Sequence, residues 1–131
     1  MTIDLTIDGA LFGDEAMTRD ELTTYFASLD DVTHARVAAL VACHRAMPAG
    51  LDAVVRVLEL GARKHNGGDL GVAPKWTEDA CLAHAADHLE EARSGGPCRD
   101  EETGELHTAH AAARLVMAVE ISDGPERGEA W

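Results

Sequence analysis

Basic residues are scarce in this chain: 11 Lys and Arg stand against 24 Asp and Glu in 131 residues, a net charge of −13. That balance opposes the phosphate neutralisation on which nonspecific nucleic-acid binding depends, and it excludes a broad DNA- or RNA-coating role. Cysteine is scarce as well. Cys43, Cys81 and Cys98 are odd in number and contain no Cys-x-x-Cys pair, so neither a disulfide framework nor a cysteine-rich zinc site is expected, and Cys43 and Cys81 read as small helix residues. Long apolar runs are missing, since none nears the roughly 18 residues that a membrane span requires. The first residues carry neither the basic flank nor the apolar centre of a secretion signal. These absences give the expectation of a soluble, cytoplasmic protein with no membrane partner.

What is present suits one globular core. The chain is 46% apolar but only 4% aromatic, so its core must be built from aliphatic residues and alanine in closely packed helices. The expected architecture is all-α: one domain over 1–131, a compact bundle of about five helices with a short N-terminal strand or hairpin. Residues Thr2 to Asp8 alternate around Ile3, Leu5 and Ile7 before Asp8-Gly9, which is the strand-and-turn signal. Thr18-x-x-Glu21 is a capping box that starts a helix over Arg19 to Leu29, with Leu22, Tyr25, Phe26 and Leu29 inward. Asp30, Asp31 and Thr33 offer caps for a second helix on which Val37, Leu40, Val41 and His44 share a stripe. Met47-Pro48 should end or interrupt it.

From about Leu51 to His65 a third helix turns Leu51, Val54, Val55, Leu58 and Ala62 to one side. Asn66 to Lys75 contains three glycines and a proline and exceeds a usual helix connection, a length often associated with function. Thr77 caps a fourth helix that stops before Gly95-Gly96-Pro97. A fifth runs from about Glu105 to Ile121 with Leu106, Ala109, Ala113, Val116 and Val119 or Glu120 on one face. Residues 122–131 read as a flexible tail ending in Trp131.

Four of the seven histidines fall on the last two helices. His84 and His88 lie about 40° apart around one axis, and His107 and His110 about 60° apart around the next, at roughly 100° per residue. If these helices pack antiparallel, both pairs can point at one ion, while the acidic turn between them brings Asp100 and Glu102 as oxygen donors. A mixed nitrogen and oxygen set favours Zn, Mn, Fe, Co or Ni over Mg. Such a divalent metal would screen phosphate charge and lower the pKa of a water, with Asp100 and Glu102 as the catalytic carboxylates. Residues 45–75 are locally basic, and 77–105 hold nine acids against Arg93 and Arg99. In that setting Lys64 and Lys75 would steady phosphates and Trp76 would stack on a base. The plainer alternative is that the histidines bond carboxylates such as Asp87 or Glu91, that Trp76 packs in the core, and that the lysines are solvated.

The run from Met47 to His65, with its Gly61-Ala62-Arg63-Lys64-His65 ending, is followed by Trp76, Asp87-His88, and Asp100-Glu101-Glu102-Thr103-Gly104 leading to His107 and His110. Over residues 47–121 this order resembles the N-terminal domain of phage-type dATP/dGTP diphosphohydrolases. Residues 1–46 lie outside the resemblance. Asp87 stands where the family pattern tends to have arginine, and His65 where it tends to have tyrosine. The resemblance implies a phosphohydrolase or binding domain for purine deoxynucleotides, phage-encoded and working in the host cytoplasm.

Other signatures fit less well. The His-Asp order of one phosphohydrolase class is reversed in Asp87-His88. Glu101-Glu102-Thr103-Gly104-Glu105 and Glu120-Ile121-Ser122-Asp123 satisfy the acidic text of the all-helical pyrophosphohydrolases. However, Glu105 and Glu120 would sit about 22 Å apart on one helix, so they could share an ion only across a homodimer. A reading of another class stands beside the enzyme: a noncatalytic phage protein that binds a host protein or sequesters a small nucleotide.

Overall fold

In the computed structural model, residues 17–70 and 75–124 are described. The strand expected over Thr2 to Asp8 and the tail at Trp131 lie outside them. Among the described residues there are five helices: α1 (Arg19–Ser28), α2 (Asp31–Ala46), α3 (Pro48–His65), α4 (Glu78–Arg93) and α5 (His107–Asp123). Over these residues the fold is all-α, and the one extended feature among them is an isolated antiparallel bridge between Arg99 and Leu106. It divides into two compact units, the first ending at Pro48 and the second beginning at Ala49.

The first unit holds α1 and α2. Both start on side-chain caps anticipated from the sequence: the Glu21 N–H donates to Thr18 Oγ1 at 3.1 Å, and the Thr33 N–H to Asp30 Oδ1 at 2.7 Å. Neither helix buries a residue. Leu22, Phe26 and Leu29 are half-buried as expected for an inward face, but Tyr25 is exposed. On α2 the expected stripe is only partly covered, with Val37 and Val41 half-buried and Leu40 63% exposed. Helical spacing placed these side chains on one face, and among the described residues that face is only partly covered.

Helix α3, all but its first residue in the second unit, starts at Pro48, whose fixed φ and missing N–H suit a first helical turn. Its buried side is Ala53, Val57 and Ala62, while Val55, expected inward, is exposed. Ala53 and Val57 meet Ala109 and Ala113 of α5, and Val54, Leu58 and Leu106 pack around them. Helix α4 begins where Thr77 Oγ1 accepts the Ala80 N–H at 3.1 Å. It packs along α5 in antiparallel register, since His88 meets His107 near the connecting turn and Cys81 faces Arg114 further along. Cys81 and Ala85 supply the small buried residues of α4. Val116 and Val119 on the second half of α5 are exposed, unlike Ala109 and Ala113 before them.

Candidate metal centre

The turn between α4 and α5 is built around one side chain. Asp100 Oδ2 accepts the Thr103 N–H at 3.0 Å and the Thr103 hydroxyl at 3.2 Å, while its backbone carbonyl accepts the Gly104 N–H at 2.8 Å. Gly104 sits at φ 75°, a conformation that favours glycine. The Asp100 N–H returns to Glu105 O at 2.8 Å, and the His107 N–H reaches Cys98 O at 2.9 Å. This last bond satisfies an amide at the start of α5, where the N-cap Leu106 offers no side-chain acceptor. Outside the turn, Arg56 of α3 holds Glu105 with two bonds, Nε to Oε1 at 2.9 Å and Nη2 to Oε2 at 3.3 Å. The mouth of α5 is therefore fixed by the turn and by α3 together.

Onto this frame α4 delivers His88. Its Nδ1 lies 2.9 Å from Nδ1 of His107, and one ligand atom each from His88, Asp100 and His107 lie within 4.8 Å of one another. His110 stacks flat on the His88 ring, with centroids 4.5 Å apart and 12° between planes, and its Nε2 is 2.7 Å from the Thr103 hydroxyl. Thr103 thus links the carboxylate to the second imidazole of α5.

Protonation states suit a cation. Burial, reinforced by the neighbouring His110 and His107, pushes His88 below the ordinary imidazole value, and burial does the same to His110. Burial pushes Asp100 upward, but the Thr103 N–H and hydroxyl with nearby His110 and His88 outweigh it, so the carboxyl titrates lower than usual. At neutral pH this gives neutral rings beside an ionised carboxylate, the forms that ligate a metal. Two nitrogens on one tetrahedral ion at about 2.05 Å are about 3.3 Å apart, so His88 and His107 need part by only a few tenths of an ångström. With no ion, the same 2.9 Å contact is an imidazole N–H···N hydrogen bond whose direction depends on the tautomers. The donor set fits zinc or a neighbouring transition metal better than magnesium.

The other expected site residues are distributed differently. Glu102 projects from the turn to pair with Lys64 at 3.5 Å, both side chains being largely exposed. His84 packs edge-on against Trp76, 4.7 Å between centroids, and Trp76 and Lys75 line a separate cavity along α3 and α5. The carboxylates considered as alternative partners for the histidines, Asp87 and Glu91, instead line the opening beside the centre with Glu90, Glu101 and Arg99.

Two contributors escaped the sequence reading. For Thr103 the signal is the Asp-x-x-Thr spacing, which marks a carboxylate capping a backbone N–H three residues on. Arg114 had a signal too: it is the one Lys or Arg in α5, a turn beyond His110.

Comparison with known proteins yields one finding. Residues 28–128 match the sequence model of a family described as dATP/dGTP diphosphohydrolase, N-terminal, so the matched span is wider than the 47–121 expected and takes in all of α2. No curated protein and no solved structure matches the chain.

Proposed function

The chain belongs to the dATP/dGTP diphosphohydrolase N-terminal family, and on that premise we propose that it is a metal-dependent domain acting on purine deoxynucleoside triphosphates within phage nucleotide metabolism. The observation that carries this reading is the meeting of His88, His107 and Asp100 at one point between two helices and their turn. When bound there, a divalent transition metal would screen phosphate charge and make a water acidic enough to attack a phosphoanhydride at neutral pH.

The chain's own groups have distinct tasks. His88 and His107 present Nδ1, and Asp100 presents a carboxylate that Thr103 has already oriented, so little reorganisation accompanies ligation. His110 braces the His88 ring from behind. Arg99, on the rim of the opening, is the cation placed to meet a phosphate oxygen. Thr103, between Asp100 and His110, gives a path along which a proton can be exchanged between carboxylate and imidazole.

One observation favours a second reading. Asp87, Glu90, Glu91 and Glu101 crowd the opening with Arg99 as its one Lys or Arg, a field that repels a polyphosphate until a cation is bound. On that reading the centre is structural and the protein a noncatalytic binder of a partner protein or small nucleotide.

Metal analysis of untagged protein, paired with phosphate and pyrophosphate release from dATP and dGTP, separates the two. Stoichiometric transition metal and turnover, both lost in His88→Ala and His107→Ala, support the enzyme. Metal without turnover supports the structural reading, and absence of metal at saturating zinc ends both.

A further inference from the structure

A cavity of about 470 Å³ lies along α3 and α5, lined among others by Leu58, Gly61, Ala113, Met117 and Trp76. It shares no lining residue with the opening at the metal centre. Its size is that of a small-molecule site, and most of these walls are apolar.

Arg114 is the unusual member of this lining. Its Cζ sits 3.9 Å from the centroid of the Trp76 ring, and its one hydrogen bond among the described residues runs from Nη1 to the Met117 sulfur at 3.6 Å, a weak acceptor. Among the described residues no carboxylate pairs with it. Burial pulls the guanidinium below its ordinary pKa, and the charge partner it faces is the Cys81 thiol, which is fully buried and pushed upward, hence neutral. Asp69 and Glu120 also line the cavity, each holding an interaction of its own. A half-buried cation with no counter-charge among the described residues is costly, and an alanine-rich helix has no structural need of one. Such a group beside an apolar space is what a site for an anion looks like before its ligand arrives. Lys75 on the same lining adds a second positive charge.

We propose that this cavity is a ligand site of its own, separate from the His88–Asp100–His107 centre. It takes a small molecule with a flat ring and one anionic group, the ring in the apolar space beside Trp76 and the anion on the Arg114 guanidinium. A nucleoside monophosphate and an aromatic carboxylate share this chemistry.

The test uses the full chain carrying Trp131→Phe, which leaves Trp76 as the sole tryptophan, titrated with dAMP and, separately, with benzoate. Saturable change in Trp76 fluorescence is expected with one of them, and which one identifies the phosphate or the carboxylate as the natural anion. Arg114→Met should weaken binding about tenfold or more, the worth of a charge-assisted bond, while leaving the melting temperature unchanged or raised. Gly61→Leu, whose Cβ would meet nothing within 4 Å, should fill the space and block binding without touching Arg114. His88→Ala should lose metal and keep ring-anion binding, so this site and the metal centre fail independently. Absence of saturation with both ligands overturns the proposal, as does unchanged affinity in both Arg114→Met and Gly61→Leu. A loss in His88→Ala equal to that in Arg114→Met would return the binding to the metal centre.

Discussion

Helices α2 and α5 are nearly equal in length and reach stability by opposite routes. α2 starts on a strong side-chain cap, the 2.7 Å bond from the Thr33 N–H to Asp30, and buries nothing. α5 has no side-chain cap and buries His107, Ala109, His110, Ala111, Ala113 and Ala118. The start of α2 is written in a few adjacent residues. The start of α5 depends on Cys98, Asp100 and Arg56, which reach it through the turn and from another helix. A helix governed by neighbours in space can carry a site, because the contacts that hold it also bring ligands from elsewhere in the chain.

The largest test of this contrast is metal addition. At zinc a hundredfold above its dissociation constant, the second unit should gain about 2.7 kcal/mol. Hydrogen exchange should then slow in α4 and α5 while α2 is unchanged, and both effects should vanish in His107→Ala. Equal slowing in α2 would erase the distinction. Next, Ala113→Leu forces a larger side chain into a position only 1% exposed and should cost about 1–3 kcal/mol, read as a lower denaturation midpoint with α5 losing protection first. Thr103→Val removes the hydroxyl shared by Asp100, His110 and the Glu105 N–H. A loss of about 1–2 kcal/mol is expected from the bonds broken, together with weaker zinc affinity, because Asp100 loses part of its orientation. Asp30→Ala should show as faster exchange confined to the start of α2, where the Thr33 N–H loses its acceptor, with zinc affinity unaltered.

The smallest effect is a slope with pH in metal-free protein. The folded pKa values of His88 and His110 lie below the ordinary 6.5, so below that pH the unfolded chain binds more protons than the folded one. Their contribution is complete above pH 6.5 and declines as acidification proceeds toward the lowered folded values. Asp100 and Asp30 are shifted down from 3.8, so their contributions persist above that value and are lost below it. Protection of α5 amides, measured against the unfolded chain at the same pH, should therefore begin to fall below pH 6.5, and protection at the Asp30 cap only below about 3.8. A shared onset would contradict the assignment of the histidines as the titrating groups.

The local signals that were legible in the sequence are of one kind. Thr18, Asp30 and Thr77 cap the helices they were expected to cap, because a cap is a bond to an amide three residues away. His88, His107 and Asp100 could be nominated because helical spacing and a short acidic turn restrict where they point. Val55 and Tyr25 were misplaced because periodicity defines a stripe without saying how much of it another element covers. Lys64 and Lys75 illustrate the same gap at the surface, one paired with Glu102 and the other lining the cavity.

Charge, composition and hydropathy spacing by themselves determined an acidic all-α protein, the caps of three of its helices and the pool of candidate ligands, since each depends on residues close in the chain. Only the tertiary structure decided that His110 stacks on His88, that Glu102 turns away to Lys64, and that Arg114 lies on Trp76. Those outcomes, read among the described residues, depend on which helices lie side by side and in what register, and packing between distant segments settles that.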